Sequence, residues 1–181
     1  MPDLKTKTIN GIIDREGGYS NDASDSGGET MYGITKAVAR HFGYTGSMRL
    51  MPRITAFRIY ETLVWKHLKL NELVKLHLPL AEEIADTATN MGGGAAAKFL
   101  QASLNALNNC QKLYPDIKVD GGIGNQTINA LKAFMTHRGK EGGTVITRAC
   151  NSLQGAKYIS LSQAREKDEK YVYGWLLNRC N

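Results

Sequence analysis

Glu16, Asp25 and Thr30 sit within one twenty-residue stretch, EGGYSNDASDSGGETMYGIT, whose residue types suit the cleavage of a glycosidic bond. One carboxyl group to protonate a leaving oxygen, a second to activate water, and a hydroxyl to hold that water are the parts of an inverting glycosidase. Glu16 follows Ile12 by four residues and Ile13 by three, a spacing that places it on the apolar face of a helix. Burial and the negative end of the helix dipole both disfavour an anion there, which is how a general acid is tuned toward neutral pH. A capping or solvated glutamate is the plainer alternative. Asp22 competes with Asp25 for the role of second acid, and Glu29 is a weaker competitor.

The elements that must hold these groups are helical. Leu4, Thr8, Ile9, Ile12 and Ile13 recur at helical spacing, Asp3 is a candidate N-cap, and Gly17-Gly18 ends the helix. The Gly-rich loop that follows can form a small hairpin from Tyr19 and Met31-Tyr32-Gly33-Ile34. Thr35 predicts a cap for a helix over 36–42 and Thr55 a cap for the next, with Phe57, Ile59, Tyr60, Leu63, Val64 and Trp65 on its apolar side. Trp65 suits either the core or a sugar face. Further helices are predicted over 71–78, 79–91, 95–107, 126–137, 144–161 and 162–179. Pro79 stands in the first turn of its helix, and Gly92-Gly93-Gly94 is the strongest boundary signal. Residues 139–143 break the pattern again. Asp120-Gly-Gly-Ile-Gly is turn chemistry and Asn125 a candidate cap, with Asp120 and Thr127 suited to holding that loop together. Asp86 and Asn90, four apart, share a helix face and can contact a sugar or pair with each other. With Tyr32, they are the candidate substrate-binding residues. The fold class expected is all-α.

The stretch from Glu16 to Thr35 resembles the motif of glycoside hydrolase family 108, muramidases common among phage endolysins. It also resembles the Glu, Asp, Thr constellation of phage-type lysozymes. The resemblance implies a lysozyme-like helical fold with a small hairpin bordering the cleft. It also implies Glu16 as catalytic acid, and Asp25 and Thr30 as its partners by order and spacing. LQASLNAL from Leu100, DGGIGNQT from Asp120 and GWLLNR near the C-terminus resemble the predicted peptidoglycan-binding module that accompanies such domains. The implied organisation is a catalytic part over 1–91 and a helical wall-binding part over 92–181, packed as one body. The implied activity is hydrolysis of the β-1,4 bond between N-acetylmuramic acid and N-acetylglucosamine, with peptidoglycan glycan strands as partner. A lytic transglycosylase using Glu16 alone and a non-catalytic wall-binding protein are the rivals.

The chain has 181 residues, 42% hydrophobic and 22% charged, a globular composition. Residues 1–91 are neutral, with eleven basic and eleven acidic side chains, while 92–181 carry the whole net charge of +6. A basic half behind a neutral, acid-bearing half suits attraction to an anionic polymer, including an outer-membrane surface. Nucleic acid is not the expected partner, and a monomer is expected. The four histidines have no ligand or triad spacing and the three cysteines no metal spacing, so no cofactor or metal is expected. Buried thiols are the expected state of Cys110, Cys150 and Cys180. The N-terminal residues lack a signal-peptide h-region. That leads to the expectation of synthesis in a bacterial cytoplasm and action on the wall after release.

Overall fold

The computed structural model describes residues 3–21 and 28–180. Among these residues the chain is mainly α-helical, with eight α-helices and one three-stranded sheet, in keeping with a lysozyme-like fold. It divides into two compact units, Met1–His67 and Leu68–Asn181.

The first unit opens with α1 (Leu4–Glu16), where the Asp3 carboxylate accepts from the Thr6 N–H at 2.7 Å, the expected cap. Ile9, Ile12 and Ile13 are buried, each contributing about 1.5–3 kcal/mol of hydrophobic burial. The sheet is minimal: β1 (Tyr19–Ser20), β2 (Thr30–Met31) and β3 (Ile34–Thr35) pair antiparallel in that order. Thr35 then caps α2 (Lys36–His41), accepting from the Val38 N–H at 3.3 Å. A 3₁₀ turn, Met48–Leu50, leads to α3 (Arg53–Tyr60), which continues as a π-helical segment, Glu61–Lys66. Thr55 is not the cap of α3. Pro52 occupies that position, and its carbonyl accepts from the Thr55 N–H inside the first turn. Trp65 is buried, which favours packing over sugar contact. Two ion pairs tie α1 to this segment, Arg53 to Asp14 at 2.8 Å and Lys5 to Glu61 at 2.9 Å, and Arg53 also donates to Asn10 Oδ1 at 3.0 Å.

The second unit contains α4 (Leu70–Leu76), α5 (Leu78–Met91), α6 (Gly93–Ala106), α7 (Asn125–Ala164) and α8 (Glu169–Arg179). α5, α6 and α7 pack on one another around Leu80, Ile84, Leu100, Leu104, Leu131, Phe134 and Ile146. The three-glycine stretch is mostly helical. Gly92 alone lies outside helix, at φ +85°, and Gly93-Gly94 already form the first turn of α6. Similarly, the break expected over 139–143 narrows to Gly139, whose φ of +60° kinks a forty-residue α7 that otherwise continues through it. Gly124, not Asn125, is the cap residue of α7. Of the three thiols, all free, Cys150 is buried, Cys180 is partly buried and Cys110 is exposed, against the expectation of burial.

Between α5 and its neighbours lies a polar cluster that sequence spacing does not reveal. Glu83 is buried, and its carboxyl oxygen accepts from Thr87 Oγ1 at 3.2 Å. Burial pushes its pKa from 4.5 up to about 7, with the nearby Asp86 carboxylate adding to the rise. Burial likewise pushes the Cys150 thiol up to about 12, so it stays protonated at neutral pH. A carboxyl with a pKa of about 7 when folded, against 4.5 when solvated in the unfolded chain, binds its proton more tightly in the folded state. Its contribution is therefore fully present below about pH 4.5 and is lost as pH rises through 7, a loss of about 2 kcal/mol after partial relaxation. Glu83→Gln is expected to flatten the urea midpoint between about pH 5 and 8 and to be the more stable protein at about pH 8. An unchanged pH slope in the variant would remove Glu83 as its source.

Candidate active site

Glu16 is the last residue of α1, and Gly17, at φ +76°, turns the chain away. Its side chain is exposed rather than buried with the isoleucine face, because the last turn of α1, Asp14 to Glu16, is open to solvent. It does have a defined seat. A Cβ on Gly33 would stand 2.7 Å from Glu16 Oε2 and 3.0 Å from its Cβ and Cγ, so the glutamate lies directly on the Gly33 backbone. A side chain at 33 would have to displace the glutamate, and the φ of +70° at Gly33 favours glycine a second time.

Gly33 belongs to the two-residue connection between β2 and β3, flanked by the Met31–Ile34 pair. Tyr32, at φ +53°, is the other residue. Two successive positive φ angles describe a type I′ hairpin turn, a position that asparagine or glycine occupies with little strain and tyrosine does not. The strain, on the order of 1 kcal/mol, is held by Tyr60. Its phenol donates to the Tyr32 carbonyl at 2.8 Å. Burial first and the Glu16 carboxylate second push the Tyr60 phenol up to about 12, so it remains a neutral donor. Spacing alone makes Tyr60 one of an apolar row. The tyrosine in a Tyr-Gly turn is the sequence signal that some distant group must hold the backbone there.

Thr30 lies on β2, paired with Ser20 and Thr35, on the strand that feeds this turn. Glu29, the weaker competitor for second acid, is committed elsewhere. Lys36 Nζ stands 3.1 Å from one of its oxygens and Tyr19 OH donates to the other at 3.1 Å. The lysine first, and then the phenol, hold its carboxyl below the usual range. Arg49 covers the Tyr19 ring, 4.3 Å from its centre. Asp22 and Asp25 lie outside the described residues. Thus Glu16, Thr30 and Tyr32 are gathered around one hairpin.

Asp86 and Asn90 belong to the second unit, where they pair. Asn90 Nδ2 donates to Asp86 Oδ2 at 3.0 Å, and Gln154 Nε2 donates to the same oxygen at 3.1 Å. Arg179 donates to Asp86 Oδ1 at 2.8 Å, tying the end of α8 to α5. Trp175 of α8 lies 5.0 Å from the Tyr158 ring of α7, so the terminal helix docks through an aromatic side as well.

In the same unit, Gln101 of α6 organises the loop before α7. Its Nε2 donates to Asp120 Oδ1 at 2.9 Å, the Gly122 carbonyl at 2.9 Å and Thr127 Oγ1 at 3.3 Å. Its Oε1 accepts from the Gly121 N–H at 3.0 Å. Asp120 and Thr127 do hold the loop together, through a glutamine that helical patterning does not single out.

Residues 9–92 match the family model of Glycosyl hydrolase 108, and residues 95–180 match that of the Predicted Peptidoglycan domain. The chain joins a glycosyl hydrolase 108 domain to a predicted peptidoglycan domain. The glycosyl hydrolase 108 part includes Glu16, Thr30, Tyr32 and Tyr60, and its match extends through α5 to the Gly92 joint. The peptidoglycan part includes the Gln101 loop and α8. A solved structure, "Structure of Brucella abortus SagA", is similar over 98% of this chain and 95% of its own, with a TM-score of 0.56 at 20% identity. That likeness establishes the shared fold. No curated protein matches the chain.

Proposed function

We propose that this glycoside hydrolase is a muramidase that cleaves the β-1,4 bond between N-acetylmuramic acid and N-acetylglucosamine in peptidoglycan. The observation that carries the reading is the seat of Glu16, a carboxyl at a helix end held against the Gly33 backbone beside the Tyr60-braced turn. In this reading Glu16 protonates the leaving glycosidic oxygen. Asp25, with Thr30, activates the attacking water or stabilises the oxocarbenium-like transition state. The role of Asp25 rests on its order and spacing in the family motif. Tyr32, partly exposed at the turn, contacts the glycan. The second unit supplies further contact with the wall, and the biological setting is lysis of a bacterial wall, as with the phage endolysins the chain resembles.

Digestion of purified peptidoglycan, with fragments resolved by mass and new reducing ends counted, tests the bond and the mechanism together. The expected product is muramic acid at the reducing end. Anhydromuramyl ends would replace hydrolysis by a transglycosylase that needs Glu16 alone. No cleavage would reject the enzymatic reading.

A further inference from the structure

The first unit has a cavity that the proposed chemistry does not use. It has a volume of about 510 Å³ and lies between the turn after α2 and the outer side of α3 with its π-helical extension. Phe42 and Tyr44 form one wall; Thr55, Arg58, Thr62 and Lys66 line the other. Glu61 borders it as well.

The charge of this cavity is unbalanced. Glu61 is bonded to Lys5 at 2.9 Å, outside the lining. Lys5 first, with smaller help from Lys66 and Arg58, holds the Glu61 carboxyl low. One carboxylate thus faces three cations, and its direct partner is Lys5. Arg58 and Lys66 form no ion pair and donate no side-chain hydrogen bond among the described residues. Both are exposed.

The wall opposite is preformed. The Gly43 N–H donates to the Arg40 carbonyl, the Tyr44 N–H to the Ala39 carbonyl, and the Tyr44 hydroxyl to the Ser47 carbonyl at 2.8 Å. Arg40 donates to the Gly46 carbonyl at 3.0 Å. The other wall is built on a π-helical segment, a rare backbone form that is enriched where function needs side chains re-aimed. Here the segment supplies Glu61, Thr62 and Lys66 to the cavity.

Resting on the reading of peptidoglycan as substrate, we propose that this cavity binds the carboxylate-bearing peptide attached to the glycan strand. Arg58 and Lys66 take its carboxylates, Thr55 and Thr62 offer hydroxyls to its amides, and Phe42 with Tyr44 covers its aliphatic parts. A neutral glycan has no use for two uncompensated cations beside an aromatic wall, whereas a short acidic peptide has use for both. The bounded outline suits a peptide of a few residues better than a polyanion, which wants a continuous basic track.

The probe is the free soluble peptide released from peptidoglycan by an amidase, which a glycosidase cannot cut. It is titrated into the full chain and followed by amide resonances. Shifts are expected at Phe42, Tyr44 and Thr62. Affinity is expected to fall at least about tenfold in Arg58→Gln/Lys66→Gln, and also when salt is raised to about 0.5 M. The charge-retaining pair Arg58→Lys/Lys66→Arg is expected to recover most of the binding, which separates charge from folding. On peptide-bearing peptidoglycan the double Gln variant is expected to raise KM with kcat unchanged. Equal binding by the double Gln variant, equal binding by a peptide with its carboxylates amidated, or shifts confined to other residues would overturn the proposal. Shifts without any hydrolysis would keep the cavity and discard the muramidase reading; hydrolysis without shifts would do the reverse.

Discussion

Glu16→Gln is expected to lower kcat/KM on peptidoglycan at least about a hundredfold, the scale of a lost general acid, with melting unchanged. Glutamine keeps the length and planarity of the side chain, so it can still lie on the Gly33 backbone. What it loses is the proton for the leaving oxygen. Because Glu16 is exposed at the end of α1, the change leaves no buried group unsatisfied, and stability is not the readout. Glu16→Asp is a companion, since shortening by one methylene keeps the acid and withdraws it from its seat. A fall of less than about tenfold in Glu16→Gln would remove the residue from the acid role and move attention to the loop carboxylates.

The second large effect is on stability. Gln101→Leu is expected to cost about 3 kcal/mol, because it replaces a buried carboxamide making four hydrogen bonds by an apolar group of similar volume. The cost lies in the groups left behind, which include the Gly122 carbonyl, the Gly121 N–H and the buried Thr127 hydroxyl. The Asp120 carboxyl would also lose the glutamine bond that chiefly holds it below the usual range. Urea denaturation measures the loss, and amide exchange should quicken at residues 120–124 before it does in α6. A loss under about 1 kcal/mol would mean that water replaces the glutamine without penalty.

What is legible in the sequence is local. Asp3 and Thr35 as caps, Gly17 as a stop, Pro79 in a first turn and the hairpin near Tyr32 all depend on neighbours within a few residues, and the structure agrees. The mainly helical fold follows from the same periodicities. Illegible features join distant positions. Tyr60 reaches a carbonyl 28 residues upstream, and Gln101 reaches partners 19 to 26 residues downstream. Each looks like an ordinary helix residue in its own window. Glu83 resembles a surface acid because Glu82 beside it is one, and only the packing of α5 decides which is buried. Helical spacing misplaces Glu16 for another reason: it gives the side of the helix but not whether the last turn is covered, and that turn is exposed. Its motif marks the position, and the contact with Gly33 supplies the geometry.

The kink at Gly139 has a consequence for how α7 comes apart. Its first half carries Thr127, anchored by the Gln101 loop; its second half carries Tyr158, which packs on Trp175 of α8. A continuous forty-residue rod would transmit fraying from one end to the other, since each turn is held by the next. A non-helical residue in the middle interrupts that ladder. Detachment of the C-terminal helix is then expected to loosen the turns around Tyr158 while 125–138 stay protected, so amide exchange should give the two halves separate opening energies.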